Sequence, residues 1–448
     1  MTTGAPRGTH RRRGRTTPAG ERDPCSARVN VARDPRDRTG AAPSIPIMTS
    51  SPAESIRPFS LSVPQSDLDD LHDRLDRTRW PAEPPAPGWE YGVPAGYLRE
   101  LAEYWRHKYD WRAAEARLNE WPQFTTVVDG ARIHFAHLRS PEPDATALIL
   151  THGWPGSVVE FLDVAGPLAD PVSHGGDAAD AFHVVVPSLP GFGLSGPTTE
   201  PGWEAGRVAD AWAELMRRLG YERFGAQGGD WGAAVSRELG RAHPDRVTGV
   251  HLNLLPGAHA ATRPSEEELG ALGPRERENA LRSWRRWEDW TREGTGYVAL
   301  QSTRPHTLAY ALTDSPVGQL AWIVEKFREW TDSRDLPEEA VDRDRLLTNV
   351  MLYWLTGTAG SSAGIYYERA HATGRTARPA EPSPVPTAVA LFPAEPQLPL
   401  RHRADRTENI VRWTEFDRGG HFAAMEEPDL LVDDVRAFFR QLREEPAG

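Results

Sequence analysis

Apolar and polar positions alternate in two distinct rhythms along the chain. From Pro58 to about Phe124 the apolar residues fall at near-helical spacing, first Leu68, Leu71 and Leu75, then Tyr97, Leu98, Leu101, Tyr104 and Trp105, which predicts a helical arm. Aromatic rings crowd this segment (Trp80, Trp89, Tyr91, Trp105, Tyr109, Trp111, Trp121) and read first as core or docking residues. After Gln123 the rhythm becomes short β-rich runs, Arg132 to Leu138, Ala147 to Thr151, Phe182 to Val186, Glu222 to Gln227 and Val247 to Leu252. Helical stretches at Ala205 to Leu219 and about Ala233 to His243 lie between them. Strands alternating with helices predict a mostly parallel, doubly wound sheet covered on both faces. Strands stop between Pro256 and about Ala377, where the pattern is helical and rich in Trp and Arg. They resume at Thr387 to Phe392 and Asn409 to Glu415, before a last helix at Leu430 to Leu442. A helical insertion at this place reads as a lid over the carboxyl edge of the sheet, where such sheets place their sites. The expected organisation is a tail at 1–47, an arm at 48–124, a core at 125–255 and 378–448, and a lid at 256–377.

Composition narrows the function. The 448 residues carry 64 acidic and 52 basic side chains, a formal charge of −12, and the acidic balance argues against a nucleic-acid partner. Residues 1–47 hold ten arginines against four acids, a local charge of +6, which leaves −18 for the rest. That tail has almost no apolar periodicity and is expected to be disordered. The Arg11 to Arg13 run has no apolar stretch behind it, so it is no secretory signal, and Met48 is a candidate true start. No run approaches the roughly 20 apolar residues of a membrane span. The single cysteine, Cys25, lies in the tail; it excludes an internal disulfide, cysteine-based metal sites and, in the rest of the chain, a cysteine nucleophile.

Four turns after strands could carry chemistry. Gly228-Gly229-Asp230-Trp231-Gly232 joins a strand to a helix with small residues two before and two after Asp230, the pattern of a nucleophile elbow with a carboxylate in place of serine. A carboxylate is ionised at pH 7 and needs no base to attack; the plainer reading is a helix cap. His152-Gly153-Trp154-Pro155-Gly156 follows the strand ending at Thr151 and would supply one oxyanion-hole N–H from Trp154, with the second from Trp231. Downstream, Phe392-Pro393-Ala394-Glu395 and Gly419-Gly420-His421-Phe422 complete the chain order nucleophile, acid, histidine expected of α/β-hydrolases. His421 would be the general base, oriented by Glu395. Two look-alikes are set aside. Gly191-Phe192-Gly193-Leu194-Ser195-Gly196 matches a dinucleotide fingerprint, but Pro197, Pro201 and Gly202 follow at once and no helix opens there. Gly360-Ser361-Ser362-Ala363-Gly364 matches a serine elbow but follows a helical segment.

The aspartate elbow, the His-Gly-Trp-Pro turn and the aromatic arm together resemble the epoxide hydrolases of the microsomal type, from about Arg57 to Leu442. The arm signature Tyr104-Trp105 with Tyr109-Asp110-Trp111-Arg112 and the run Arg418 to Glu426 share in the resemblance. It implies an α/β-hydrolase fold with a helical lid and an N-terminal helical arm, and two lid tyrosines. Gly296-Tyr297-Val298 and Ile365-Tyr366-Tyr367-Glu368 match their motifs, which places them at Tyr297 and Tyr366. The implied reaction opens an apolar epoxide to a vicinal diol through an Asp230 ester, with no metal or organic cofactor. Animal members carry a membrane anchor, whereas this tail is polar and arginine-rich, so a cytoplasmic enzyme is expected. Pairing through the arm into a homodimer is left open. The rivals are a haloalkane dehalogenase using the same Asp230, a serine esterase using Ser362, and a non-catalytic ligand-binding protein.

Overall fold

The computed structural model describes residues 55–85, 88–373 and 382–444. The expected disordered tail, Cys25 and the candidate start at Met48 lie outside the described residues.

Among the described residues nine strands form one sheet: β1 (Arg57–Phe59), β2 (Gln123–Val128), β3 (Ala131–Leu138), β4 (Thr146–Thr151), β5 (Phe182–Pro187), β6 (Phe224–Gly228), β7 (Val247–Leu252), β8 (Pro386–Leu391) and β9 (Asn409–Glu415). Their spatial order is β1-β2-β3-β5-β4-β6-β7-β8-β9. Every neighbouring pair from β5 to β9 is parallel, and β1, β2 and β3 extend the sheet as antiparallel strands. The inner parallel strands β4 and β5 read as nearly unbroken apolar runs because both faces are covered. On β6, Gly225 and Gly228 are three residues apart and so face opposite sides. A Cβ on Gly225 would strike Phe439, and one on Gly228 the backbone of Gly232, so the last helix covers one face and the helix after the elbow the other.

The arm departs from the expectation of a purely helical segment up to 124. β1 pairs with β2, Arg57 opposite Thr125, and β2 already begins at Gln123. A three-residue strand is too short to show a period, and β2 is only half-buried, so neither stands out in the pattern. The arm helices are α1 (Gln65–Asp76), α2 (Ala95–His107) and α3 (Trp111–Leu118). α4 (Ala165–Ala169), α5 (Ala205–Arg218) and α6 (Asp230–Ala242) belong to the sheet layers. Between β7 and β8 the described residues contain only helices and turns: α7 (Glu266–Ala271), α8 (Pro274–Glu293), α9 (Gly296–Thr303), α10 (Pro305–Asp314), α11 (Pro316–Trp330), α12 (Arg343–Thr356) and α13 (Ala359–Ala370). α14 (Arg401–Ala404), α15 (Ala423–Glu426) and α16 (Pro428–Glu444) follow. Among the described residues no helix is long and apolar enough to cross a membrane.

Three of the arm aromatics are spent inside this chain, whereas Tyr91 stays exposed. Tyr97 donates to Glu338 at 3.0 Å, Tyr104 to Asp344 at 2.8 Å, and Trp105 Nε1 meets Met351 Sδ at 3.1 Å. These contacts lock α2 onto the insertion. A second buried histidine and carboxylate, His251 and Asp434 at 3.0 Å, ties β7 to α16, with Arg412 and Thr414 of β9 on the same carboxylate.

Candidate active site

The chain runs from β4 to β5 on one side and returns as β6 on the other, so the loops after β4 and β6 part from each other and leave a crevice at the sheet's carboxyl edge. Thr151 of β4 sits opposite Gly228 of β6 at its mouth. Asp230 turns the chain there with φ of 46°, a left-handed conformation that a residue with a Cβ rarely holds. The tightness comes from its neighbours: a Cβ on Gly232 would lie 1.8 Å from the Thr151 carbonyl oxygen. The turn aims the carboxylate back over the crevice, where Oδ1 accepts the Trp154 N–H at 2.7 Å. Gly153 allows this approach, since a Cβ there would meet Oδ1 at 2.2 Å. Trp231, the other expected donor, is the second residue of α6, and first-turn N–H groups have no carbonyl within their own helix. The helix N-terminus also favours the Asp230 charge.

His421 follows β9 and faces this carboxylate. Its Nδ1 lies 2.7 Å from Glu395 Oε2, and its Nε2 lies 3.6 Å from Asp230 Oδ2. Glu395 is buried in the turn after β8, held by the Arg286 guanidinium on the Pro393 and Glu395 carbonyls. Burial alone would depress the imidazole pKa, but the Glu395 and Asp230 carboxylates outweigh it and hold His421 well above its ordinary value. The three positions expected from the sequence are therefore brought together, His421 hydrogen-bonded to Glu395 and within ion-pair distance of Asp230.

The insertion places Tyr297 and Tyr366 over the same point. Tyr297 stacks on Trp154 with ring centroids 5.1 Å apart, and Tyr366 meets Trp154 edge-on at 5.6 Å and Trp231 at 4.9 Å. The two phenol rings are 5.7 Å apart. Tyr367 instead points outward and stacks on His371. Burial raises both inner phenols well above the usual tyrosine value, and the Asp230 charge raises them further, so they stay protonated donors.

Sequence reasoning missed several neighbours. Trp330, at the end of α11, accepts the His421 N–H on its carbonyl at 2.8 Å and lays its ring 4.9 Å from the imidazole. Glu160, three residues beyond Ser157 in the loop after β4, has its carboxyl pushed up to about 8, by burial first, with the Asp230 charge adding to it. Glu426 accepts the N–H groups of Phe422 at 2.9 Å and Asp332 at 2.8 Å, joining the histidine loop to the insertion. An acidic residue four or five positions from a histidine or a glycine turn is too common a pattern to signal this.

The two look-alike motifs meet each other. Ser361 donates to the Gly191 carbonyl at 2.6 Å, and Gly193 N–H donates to Thr358 at 3.0 Å. Ser362 is buried within α13 and donates to the Ala359 carbonyl at 3.0 Å. No strand precedes it, so the geometry of a serine elbow is absent there. The Gly191 loop is followed by a short 3-10 turn, Gly193–Ser195, with no long helix opening toward a pyrophosphate.

A mostly parallel sheet with a strained elbow at the end of β6, an acid after β8 and a histidine after β9 defines an α/β-hydrolase. Residues 146–266 match the family described as alpha/beta hydrolase fold, and residues 56–161 that described as Epoxide hydrolase N terminus. A Stigmatella aurantiaca protein bearing the epoxide hydrolase name is 48% identical over 392 residues, covering 87% of this chain and 86% of its own. Epoxide hydrolase 1 of Sus scrofa is 36% identical, with 88% and 90% covered. The crystal structure of juvenile hormone epoxide hydrolase from Bombyx mori superposes with a TM-score of 0.78 at 30% identity, over 87% of this chain and 95% of that one. The chain belongs to the epoxide hydrolase family, hydrolases that act on ether bonds.

Proposed function

We propose that this protein hydrolyses an apolar epoxide to a vicinal diol through a covalent Asp230 ester. The observation that carries the reading is the meeting of four groups at one point: the Asp230 carboxylate, the His421–Glu395 pair and the two inner phenols of Tyr297 and Tyr366. Asp230 attacks an epoxide carbon, the C–O bond breaks, and a phenol protonates the departing oxygen. The ester carbonyl then faces the Trp154 and Trp231 N–H groups, which stabilise the tetrahedral oxyanion as water, activated by His421, attacks. Rings of Trp154, Trp231 and Trp330 wall the site and favour an apolar substrate. The segments fall into an arm (48–124), a core (125–255 and 378–448) and a lid (256–377) that brings the phenols to the core.

Single turnover in heavy-oxygen water tests the ester. The first diol is expected to take its oxygen from Asp230, and solvent oxygen to appear in the Asp230 carboxylate. Solvent label in the first-turnover diol defeats the ester route. Replacing Asp230 by Asn is expected to lower the rate at least about a thousandfold while leaving the protein folded.

A second reading, the haloalkane dehalogenase, draws on one observation. The Trp330 indole N–H is buried beside His421 without a hydrogen-bond partner among the described residues, and such a group can hold a halide. Chloride release from 1-chlorobutane without diol formation from styrene oxide would favour it.

A further inference from the structure

The chain has 50 arginines and only two lysines, Lys108 and Lys326. Lys326 lies in α11 with its side chain 2% exposed, where an ammonium costs several kcal/mol unless paired. Glu329 meets its Nζ at 3.0 Å and Glu325 also binds it; both carboxylates are more exposed than the lysine. The ammonium is thus held on the inner side of α11, 4.9 Å from the Tyr297 ring centroid and 5.8 Å from that of Trp330. Both distances lie within cation–π range. A compact point charge on a flexible stem suits this niche better than a planar guanidinium fork.

Tyr297 needs such a partner. Three carboxylates face it from separate elements, Asp230 from the elbow, Glu395 from the turn after β8 and Glu329 from α11, and all three oppose a phenolate. Tyr366 adds a neutral phenol, and His421 lies across the Trp330 ring. We propose that Lys326 is a positioning residue for ring opening: its ammonium, held over the Tyr297 ring, stabilises the phenolate formed when Tyr297 gives its proton to the epoxide oxygen. This rests on the reading of Tyr297 as the acid. In that step the Asp230 oxygen bonds to carbon, the C–O pair stays on oxygen, and that oxygen takes the Tyr297 proton. In the second step one water is consumed. One of its protons goes to the departing diol oxygen, and the other, shed by the Asp230 carboxyl, restores the phenol.

The test is rapid-mixing single turnover of the full chain with styrene oxide, separating ester formation from ester hydrolysis. Lys326→Met is expected to slow ester formation about 10- to 30-fold, the worth of a desolvated cation–π contact, and to change hydrolysis less than about twofold. Lys326→Arg, which keeps the charge, is expected to restore part of the loss. Glu329→Gln, on a side chain about one-third exposed, keeps an oxygen acceptor for the Lys326 ammonium, with Glu325 still bound to it, but removes a charge that opposes the phenolate, and is expected to leave ester formation unchanged or faster. A purely structural ion pair predicts the reverse, slower turnover in both steps. Equal slowing of both steps in Lys326→Met, or slowing of ester formation in Glu329→Gln, overturns the proposal; if Lys326→Met fails to fold, the sign of the Glu329→Gln effect decides alone. Tyr297→Phe separates the two levels. If it leaves ester formation intact, the acid assignment fails; if it slows ester formation while Lys326→Met does not, only the role of Lys326 fails.

Discussion

At the scale of single residues, the site turns on the electrostatics of one imidazole. Two carboxylates, Glu395 and Asp230, hold the His421 pKa well above its ordinary value against the effect of burial, and the proposed reaction removes one of those charges. In the proposed mechanism Asp230 becomes an ester; its charge is then gone, its raising effect vanishes, and burial, which favours neutral imidazole, gains weight. Ester formation should therefore favour the neutral imidazole that water activation needs. The measurement is the His421 titration followed by NMR: Asp230→Asn, which mimics the uncharged ester, is expected to lower its pKa by at least about one unit. An unchanged value would show that Asp230 does not govern it. The elbow makes a second prediction. Gly232→Ala puts a methyl against the Thr151 carbonyl and is expected to cost more than about 3 kcal/mol in urea unfolding, or to prevent folding. Both positions were legible in the sequence, because an elbow is local and its spacing is its geometry. Tyr297 and Tyr366 reached the site only through the family resemblance. Nothing local around two tyrosines 69 positions apart says that their rings share one tryptophan.

At the scale of elements, α2 serves the insertion more than the sheet. Trp105 is 1% exposed and bonds Met351 of α12, while Tyr97 and Tyr104 bind acids beside or within that helix. Trp105→Ala would open a cavity between α2 and α12 and is expected to cost about 3–5 kcal/mol. Because α12 also fixes the loop after β4 that carries Trp154, through Asn349 on the Pro155 carbonyl at 2.8 Å and Tyr353 on that of Gly156 at 2.6 Å, the damage should reach the proposed catalysis. Calorimetry and turnover of styrene oxide should fall together; lost stability with full activity at low temperature would mean that the arm and the loop are not coupled. The helical spacing of the arm was readable, and so was the burial of its rings. Their partner was not, since a pattern of apolar positions reports that a face is covered and not by which segment.

At the scale of the whole molecule, the helix and strand alternation announced the parallel sheet, while the antiparallel strands β1 and β2 escaped because a short or half-buried strand leaves no clear period. Charge behaves similarly: the −18 beyond the tail was countable, but its concentration was not. Around His421 stand Asp230, Glu395, Glu160 and Glu426, and the last two are pushed up to about 8, chiefly by burial. A group whose pKa is raised on folding stabilises fully below its unfolded value and loses that contribution as pH rises through its folded value. Glu160 and Glu426 therefore lose theirs between about 4.5 and about 8, and His421 loses its own from 6.5 upward. Below about 4 the trend reverses, because Glu214, lowered to about 2 by Arg217 and despite some burial, gives up its contribution as it protonates. Stability should thus peak near pH 5 and fall by pH 8.5, in urea unfolding at fixed salt. A flat or rising profile over that span would mean that the two glutamates are hydrated and ionised in the folded protein. The expected decline follows from the chemistry itself: a site that gathers four carboxyls about one base, in a chain already strongly negative, holds them together most easily when some remain protonated.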